Sequence, residues 1–191
     1  MLECSPLKLQ GNIASFELIP WLLCTCKSIS ECKKALNNTL ITEDHFSKNY
    51  PPSPLHWLVA DWKDTIVIES TTNGLHIYDN PYGVLTNSPP FPYHQQNIGN
   101  YLNVTAEEAN NRFAPNYNIP AYSRGLGGIG LPGDCSSASR FVRSVFTKLN
   151  SKCKSDEGNS VVQFFHILNS VYQIQGCISV GNQFERTIYS S

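Results

Sequence analysis

Three strand-like runs lie between Leu55 and Asn80, separated by links too short for anything but reversals of direction. LHWLVADW (Leu55 to Trp62) and TIVIEST (Thr65 to Thr71) are rich in aromatic and β-branched residues, which fit a pleated, half-buried surface. Lys63 and Asp64 join them, and Asn73-Gly74 leads into GLHIYDN; short polar links and Asn-Gly steps are hairpin signals. GVLTNSP reads as a fourth short strand ending at Pro89, so residues 55 to 88 are expected to form an antiparallel meander.

Helices flank this meander. SFELIPWLLCTC (Ser15 to Cys26) is an apolar helix interrupted by Pro20, which demands a kink or a late start. Ser28 and Glu31 have capping-box spacing and open SISECKKALNN. Residues 45 to 54 form a proline-marked loop, and YHQQNIGNYL is a further helical candidate. Ser136 to Leu149 is a helix with Ser136 or Ser137 as N-cap. Residues 151 to 159 are a polar loop, and VVQFFHILNSVYQI follows with helical spacing at Val162, Phe165, Leu168 and Val171. RTIYSS is expected to be a strand. Helices, consecutive strands, helices and a strand make α+β layering rather than βαβ alternation.

Composition excludes several classes of function. Net charge is −1, with 14 basic and 15 acidic residues and no basic stripe, so no nucleic-acid partner is expected. No apolar run reaches the roughly 18 residues that span a bilayer. MLECSPLKLQ has no signal-peptide pattern, so a cytoplasmic protein without a membrane partner is expected. Seven cysteines, an odd number, fit reduced thiols. Cys24, Cys26 and Cys32 match no zinc spacing, and His45, His56, His76, His94 and His166 form no pair at metal or triad spacing, so all five read as structural or exposed and no metal is expected.

The chemistry-bearing stretch is SRGLGGIGLPGDCSSASRFVR, Ser123 to Arg143. A glycine run entering a helix holds backbone close to a phosphate, a reacting carbonyl or another part of the core. No Lys-Ser/Thr follows the glycines, so it is not a Walker loop. Gly125, Gly127 and Gly130 fit G-x-G-x-x-G, but the preceding strand is missing and Pro132 interrupts the turn, which argues against a dinucleotide site. Arg140 lies one turn into a packed helix and needs an acceptor there; an arginine beside a reacting group can also orient it and lower a thiol pKa. Asn87 is either an ordinary turn residue before Ser-Pro or the kind of amide that helps form an oxyanion hole.

PLHWLVADW, IVIEST, GLHIYDNPYGVLTNSP, SRGLGGIGLPGD and SRFVR, in this order, resemble the choloylglycine hydrolase family of bile salt hydrolases and penicillin V acylases, from about Asn12 to Ser191. The resemblance implies a four-layer αββα N-terminal-nucleophile (Ntn) hydrolase sandwich with antiparallel sheets. It implies cleavage of a linear amide, in a conjugated bile salt or in penicillin V, by an N-terminal cysteine whose own α-amino group is the base. No metal or organic cofactor is implied. Asn87 matches the family asparagine that helps hold the oxyanion, and Arg140 the arginine beside the nucleophile. Phe46, Tyr50 and Leu55 fall in the substrate loop.

The family's opening cysteine, its adjacent strand pair and later strands have no counterpart. Residues 1–191 therefore read as an incomplete domain, the middle of the family's protein, inactive alone and poorly soluble. Cys4, in MLECS, only superficially resembles a processed nucleophile. The partner expected is a small-molecule amide, with a homo-oligomer or a complementing N-terminal segment as possible associates. The other readings are a penicillin V acylase-type amidase, a non-catalytic assembly piece and a small-molecule binding module.

Overall fold

A computed structural model describes residues 11–52 and 55–190. The chain divides into two compact units, Met1–Leu85 and Thr86–Ser191.

In the first unit, β1 (Asn12–Ala14) leads through α1 (Leu18–Thr25) and α2 (Ile29–Leu36) to β2 (Leu40–Thr42), which pairs with β1 in parallel. Pro20 sits in the first turn of α1, where its missing N–H has no intrahelical partner to lose; the late start is realised. Ser28 caps α2, its Oγ accepting from the Glu31 N–H at 3.3 Å, while Glu31 Oε2 accepts from Lys27 N at 2.8 Å. Asp61 adds a second, distant cap: its Oδ2 accepts from Ile29 N at 2.8 Å, and its Oδ1 from Lys63 N at 2.8 Å and Asp64 N at 2.7 Å. These backbone donors, Ile29 first, hold the Asp61 carboxyl below its ordinary pKa.

β3 (His56–Ala60), β4 (Thr65–Thr71) and β5 (Gly74–Asp79) form the antiparallel meander in the order β3-β4-β5, with Ile68 opposite Trp57 and Ile77. Side chains alternate across a strand, so Ile66 and Ile68 share one face. They pack with Trp57 against Ile13, Leu18, Leu22, Ile29, Cys32 and Leu36. Leu18, Ile66 and Ile68 are fully buried, each such side chain contributing roughly 1.5–3 kcal/mol. Burial pushes the Cys32 thiol up to about 12, so it serves as a small core apolar group.

The expected fourth strand does not form. Pro89 and Pro90 cannot donate to a ladder. Asn80 draws Tyr82 N, Gly83 N and Val84 O into its own turn at 2.9–3.1 Å, and Gly83 has φ +58. The segment runs on without a strand.

The second unit holds α3 (Phe91–Asn97), a 3-10 turn (Ile98–Tyr101), α4 (Ser137–Asn150), α5 (Glu157–Asn169) and a minimal hairpin of β6 (Ser179–Val180) and β7 (Gln183–Phe184). α4 is amphipathic, burying Phe141, Val142 and Val145, and Phe91 meets Phe141 edge to face at 6.1 Å. α5 starts earlier than its apolar spacing suggests because Asp156 caps it, accepting from Asn159 N at 2.9 Å. Among the described residues none of α5 is buried, and Val161, Val162, Phe164 and Phe165 are exposed. The expected strand at residues 186–191 is corrected for its described part, 186–190, which forms no ladder. Thr187 N donates instead to Gln173 O at 3.0 Å, and Gln173 N to Thr187 Oγ1 at 2.9 Å. The α+β expectation holds, with the parallel β1–β2 pair as an addition. Among the described residues no helix is long and apolar enough to cross a membrane.

The glycine run packs on backbone. Gly125 (φ +79) and Gly130 (φ +99) take left-handed conformations. Thr105 N donates to Gly127 O at 2.9 Å, and a Cβ on Gly127 would meet Glu107 O at 2.4 Å and Thr105 O at 2.7 Å. Gly127→Ala is therefore expected to destabilise the chain by about 1–3 kcal/mol. Gly128→Ala, with nothing within 4 Å of the added Cβ, should stay near the wild-type urea midpoint; equal midpoints for the two variants would contradict the packing.

Candidate active site

α4 owes its start to Asp134 and Ser136. Ser136 Oγ accepts from Ser139 N at 3.3 Å. Asp134 Oδ1 accepts from Ser136 N at 2.9 Å, and Oδ2 from Ser139 Oγ at 2.5 Å. Hydrogen bonds from Ser136, then Ser139, lower the Asp134 carboxyl to about 2. Arg143, a turn further on, is spent on structure: it donates to the carbonyls of Pro132 (2.9 Å), Asp134 (2.5 Å) and Ser170 (3.1 Å), tying the glycine loop and the end of α5 to α4.

Arg140 is used differently. Its Nε donates to Cys135 O at 3.1 Å, and its Nη2 to Asn87 Oδ1 at 2.7 Å. Burial lowers the Arg140 pKa; Glu185 opposes that and Arg143 adds to it. A guanidinium only donates, so the Asn87 oxygen must face it and the amide Nδ2–H2 must point the other way. Asn87 itself is exposed. The result is a pair of amide donors at the surface whose orientation is set by a charged partner.

The Asn87 main chain is held as well. Ser137 Oγ donates to Asn87 O at 2.6 Å, and Thr86 Oγ1 to Ser137 O at 3.1 Å. His94 Nε2 lies 3.0 Å from the same Asn87 carbonyl. Asn87 and Arg140, 53 positions apart in sequence, are thus brought together within the second unit.

Phe46, Tyr50 and Leu55 belong to the first unit. Phe46 and Tyr50 are about two-thirds exposed. Phe46 stands edge to face with Phe16 at 5.2 Å and with Tyr50 at 6.5 Å, an aromatic cluster open to solvent. Leu55 lines a separate open cleft of about 450 Å³ with Ile41, Trp57 and the hydroxyls of Ser15, Thr42 and Ser70. Among the described residues no group of three or more His, Cys, Asp or Glu side chains could hold a metal ion. Cys4 lies outside the described residues. Ser137 and His94, as holders of Asn87, escape sequence reasoning; the one local signal is a helix start just after Ser-Pro-Pro, which places His94 one turn in.

A family model described as linear amide C-N hydrolases, choloylglycine hydrolase family, matches residues 5–191. A bile salt hydrolase/transferase of Lactiplantibacillus plantarum is 52% identical over 181 residues, covering 94% of this chain and 56% of that protein. The crystal structure of a mutant conjugated bile acid hydrolase from Clostridium perfringens superposes with a TM-score of 0.81 at 33% identity, over 94% of this chain and 55% of the other. A penicillin V acylase from Agrobacterium tumefaciens superposes at 0.67 with 18% identity, over 90% of this chain and 46% of the other, and shares the fold alone. The chain spans a little over half the length of the curated relatives it matches.

Asp134 generates a pH prediction. Its folded pKa lies below its ordinary value, so the unfolded chain binds the proton more readily. Its stabilisation is present above about pH 4 and lost as pH falls towards 2. The gap in urea midpoint between the wild-type chain and Asp134→Asn should be full at pH 7 and shrink between pH 4 and 2; a gap independent of pH would contradict the capping role.

Proposed function

The chain belongs to the choloylglycine hydrolase family of linear amide C-N hydrolases, and from that premise we propose that it carries the oxyanion and guanidinium part of an Ntn amidase site acting on conjugated bile salts. The observation that carries the reading is the 2.7 Å bond from Arg140 Nη2 to Asn87 Oδ1.

Attack on an amide carbonyl moves negative charge onto its oxygen. A side-chain amide already turned outward stabilises that charge without reorganising at the moment of reaction. Arg140 performs the turning, and its remaining N–H donors and its charge favour a thiolate over a thiol nearby. The reaction this serves is acyl transfer. A cysteine thiolate adds to the carbonyl carbon, its proton passing by way of the α-amino group to the departing amine, glycine or taurine. Water then hydrolyses the thioester and returns the thiol. The chain spans 56% of the length of the Lactiplantibacillus plantarum relative, and we propose that a segment outside residues 1–191 supplies the cysteine that completes the site.

Bile salts are preferred over penicillin V because six relatives at 33–52% identity are named for bile salts or bile acids. The Phe16–Phe46–Tyr50 cluster supplies solvent-facing aromatic surface of the kind a steroid needs. The exposed apolar residues of α5 favour association with another segment over a free-standing binding module.

Glycine release from a glycine-conjugated bile salt tests the proposal. The chain alone should release none. Mixed with the cysteine-bearing segment of a family member it should become active, and Asn87→Ala should then lower kcat by about 10²–10³ with little change in KM. Arg140→Ala should fall in the same direction, because the Asn87 amide is then free to flip. No activity in any mixture would sink the assignment. Release by the chain alone that disappears on Cys4→Ser would place the nucleophile at Cys4.

A further inference from the structure

His94 is the one histidine in the described core of the second unit. It is fully buried and stacks on Phe141 with centroids 4.7 Å apart and planes 20° from parallel. Phe141 directly follows Arg140 on α4, and Phe91, one turn before His94 on α3, meets the same ring at 6.1 Å. The His94 imidazole therefore sits in an aromatic stack tied in sequence to both polar residues of the site.

Its two nitrogens differ in what they meet. Nε2 lies 3.0 Å from the Asn87 carbonyl oxygen, which can only accept, so Nε2 carries the hydrogen. Nδ1 is buried and has no hydrogen-bond partner among the described residues. A phenylalanine would fill the same stack without burying an unpaired nitrogen, which costs free energy. What the imidazole adds is the Nε2–H held to Asn87. The Asn87 carbonyl has two lone pairs, and Ser137 Oγ–H takes the other at 2.6 Å. A main-chain carbonyl gripped from two helices fixes where the Asn87 side chain starts, which sets its amide within reach of Arg140.

We infer that His94 is a positioning residue: its Nε2–H clamps the Asn87 main chain so that the Asn87 amide meets the Arg140 guanidinium. The catalytic importance of this clamp rests on the function proposed above, but the clamp itself does not. Its test therefore uses no activity, and a chain that hydrolyses nothing leaves it intact.

The test is magic-angle-spinning NMR of the histidine-, asparagine- and arginine-labelled 191-residue chain, a method that tolerates self-association. The His94 signals are identified as those lost in His94→Gln. In the wild type they are expected to report the Nε2–H tautomer, and the Arg140 guanidinium should show a dipolar contact to the Asn87 side-chain carbonyl carbon. His94→Gln, whose amide nitrogen can reach the same carbonyl, should keep that contact. His94→Phe, which keeps the stack and removes the donor, should lose it. An Nδ1–H tautomer in the wild type, loss of the contact with glutamine, or an unchanged contact in a folded phenylalanine variant would each overturn the inference. Should the phenylalanine variant fail to fold, the wild-type tautomer and the glutamine contact decide it.

Discussion

An arginine guanidinium can only donate, and the second unit is organised around that fact. Arg140 needs oxygen on every side it presents to protein, and it finds the Cys135 carbonyl and the Asn87 side-chain oxygen. Satisfying a half-buried cation fixes which end of an asparagine amide faces outward. The surroundings keep the two partners from drifting: the Asp134 and Ser136 caps set where α4 begins, Arg143 binds the glycine loop to that start, and Ser137 reaches back to the Asn87 carbonyl. Removing any of these loosens an amide that none of them touches at its reactive end.

The first unit follows a different logic. Its stability comes from apolar area, with α1 and α2 laid on one face of a three-stranded sheet. β4 is buried from Ile66 through Glu69, both alternating faces included. A strand buried on both faces reads as a continuous apolar run rather than an alternating one, and TIVIEST has that form.

What was legible in the sequence was local. Hairpins announced themselves through short links, and α2 and α4 through serine caps one turn before the backbone N–H groups they accept from. GVLTNSP looked like a strand because Val84, Leu85 and Thr86 suit one, but the hydrogen-bonding capacity around it is spent elsewhere: Asn80 consumes the start, the prolines silence the end, and Thr86 and Asn87 bond to Ser137 and His94. The start of α5 was set by Asp156, a cap outside the apolar pattern. Asn87 and Arg140 could each be singled out, the first as an amide at a turn and the second as a cation on a packed helix. Their contact could not, since it spans 53 residues. Nor could the partner of the glycine run, because the Thr105–Glu107 backbone carries no side-chain signature of what lies against it.

Asp61 has a consequence of its own. One carboxylate accepts from the first N–H of α2 and from two N–H groups at the tip of the β3–β4 hairpin, those of Lys63 and Asp64. Helix ends and hairpin tips ordinarily fray independently, each at little free-energy cost. Here neither can loosen without giving up the same acceptor. The start of α2 and the tip of the β3–β4 hairpin are thereby coupled in opening, because Ile29 and Asp61, 32 positions apart in sequence, are joined through one side chain.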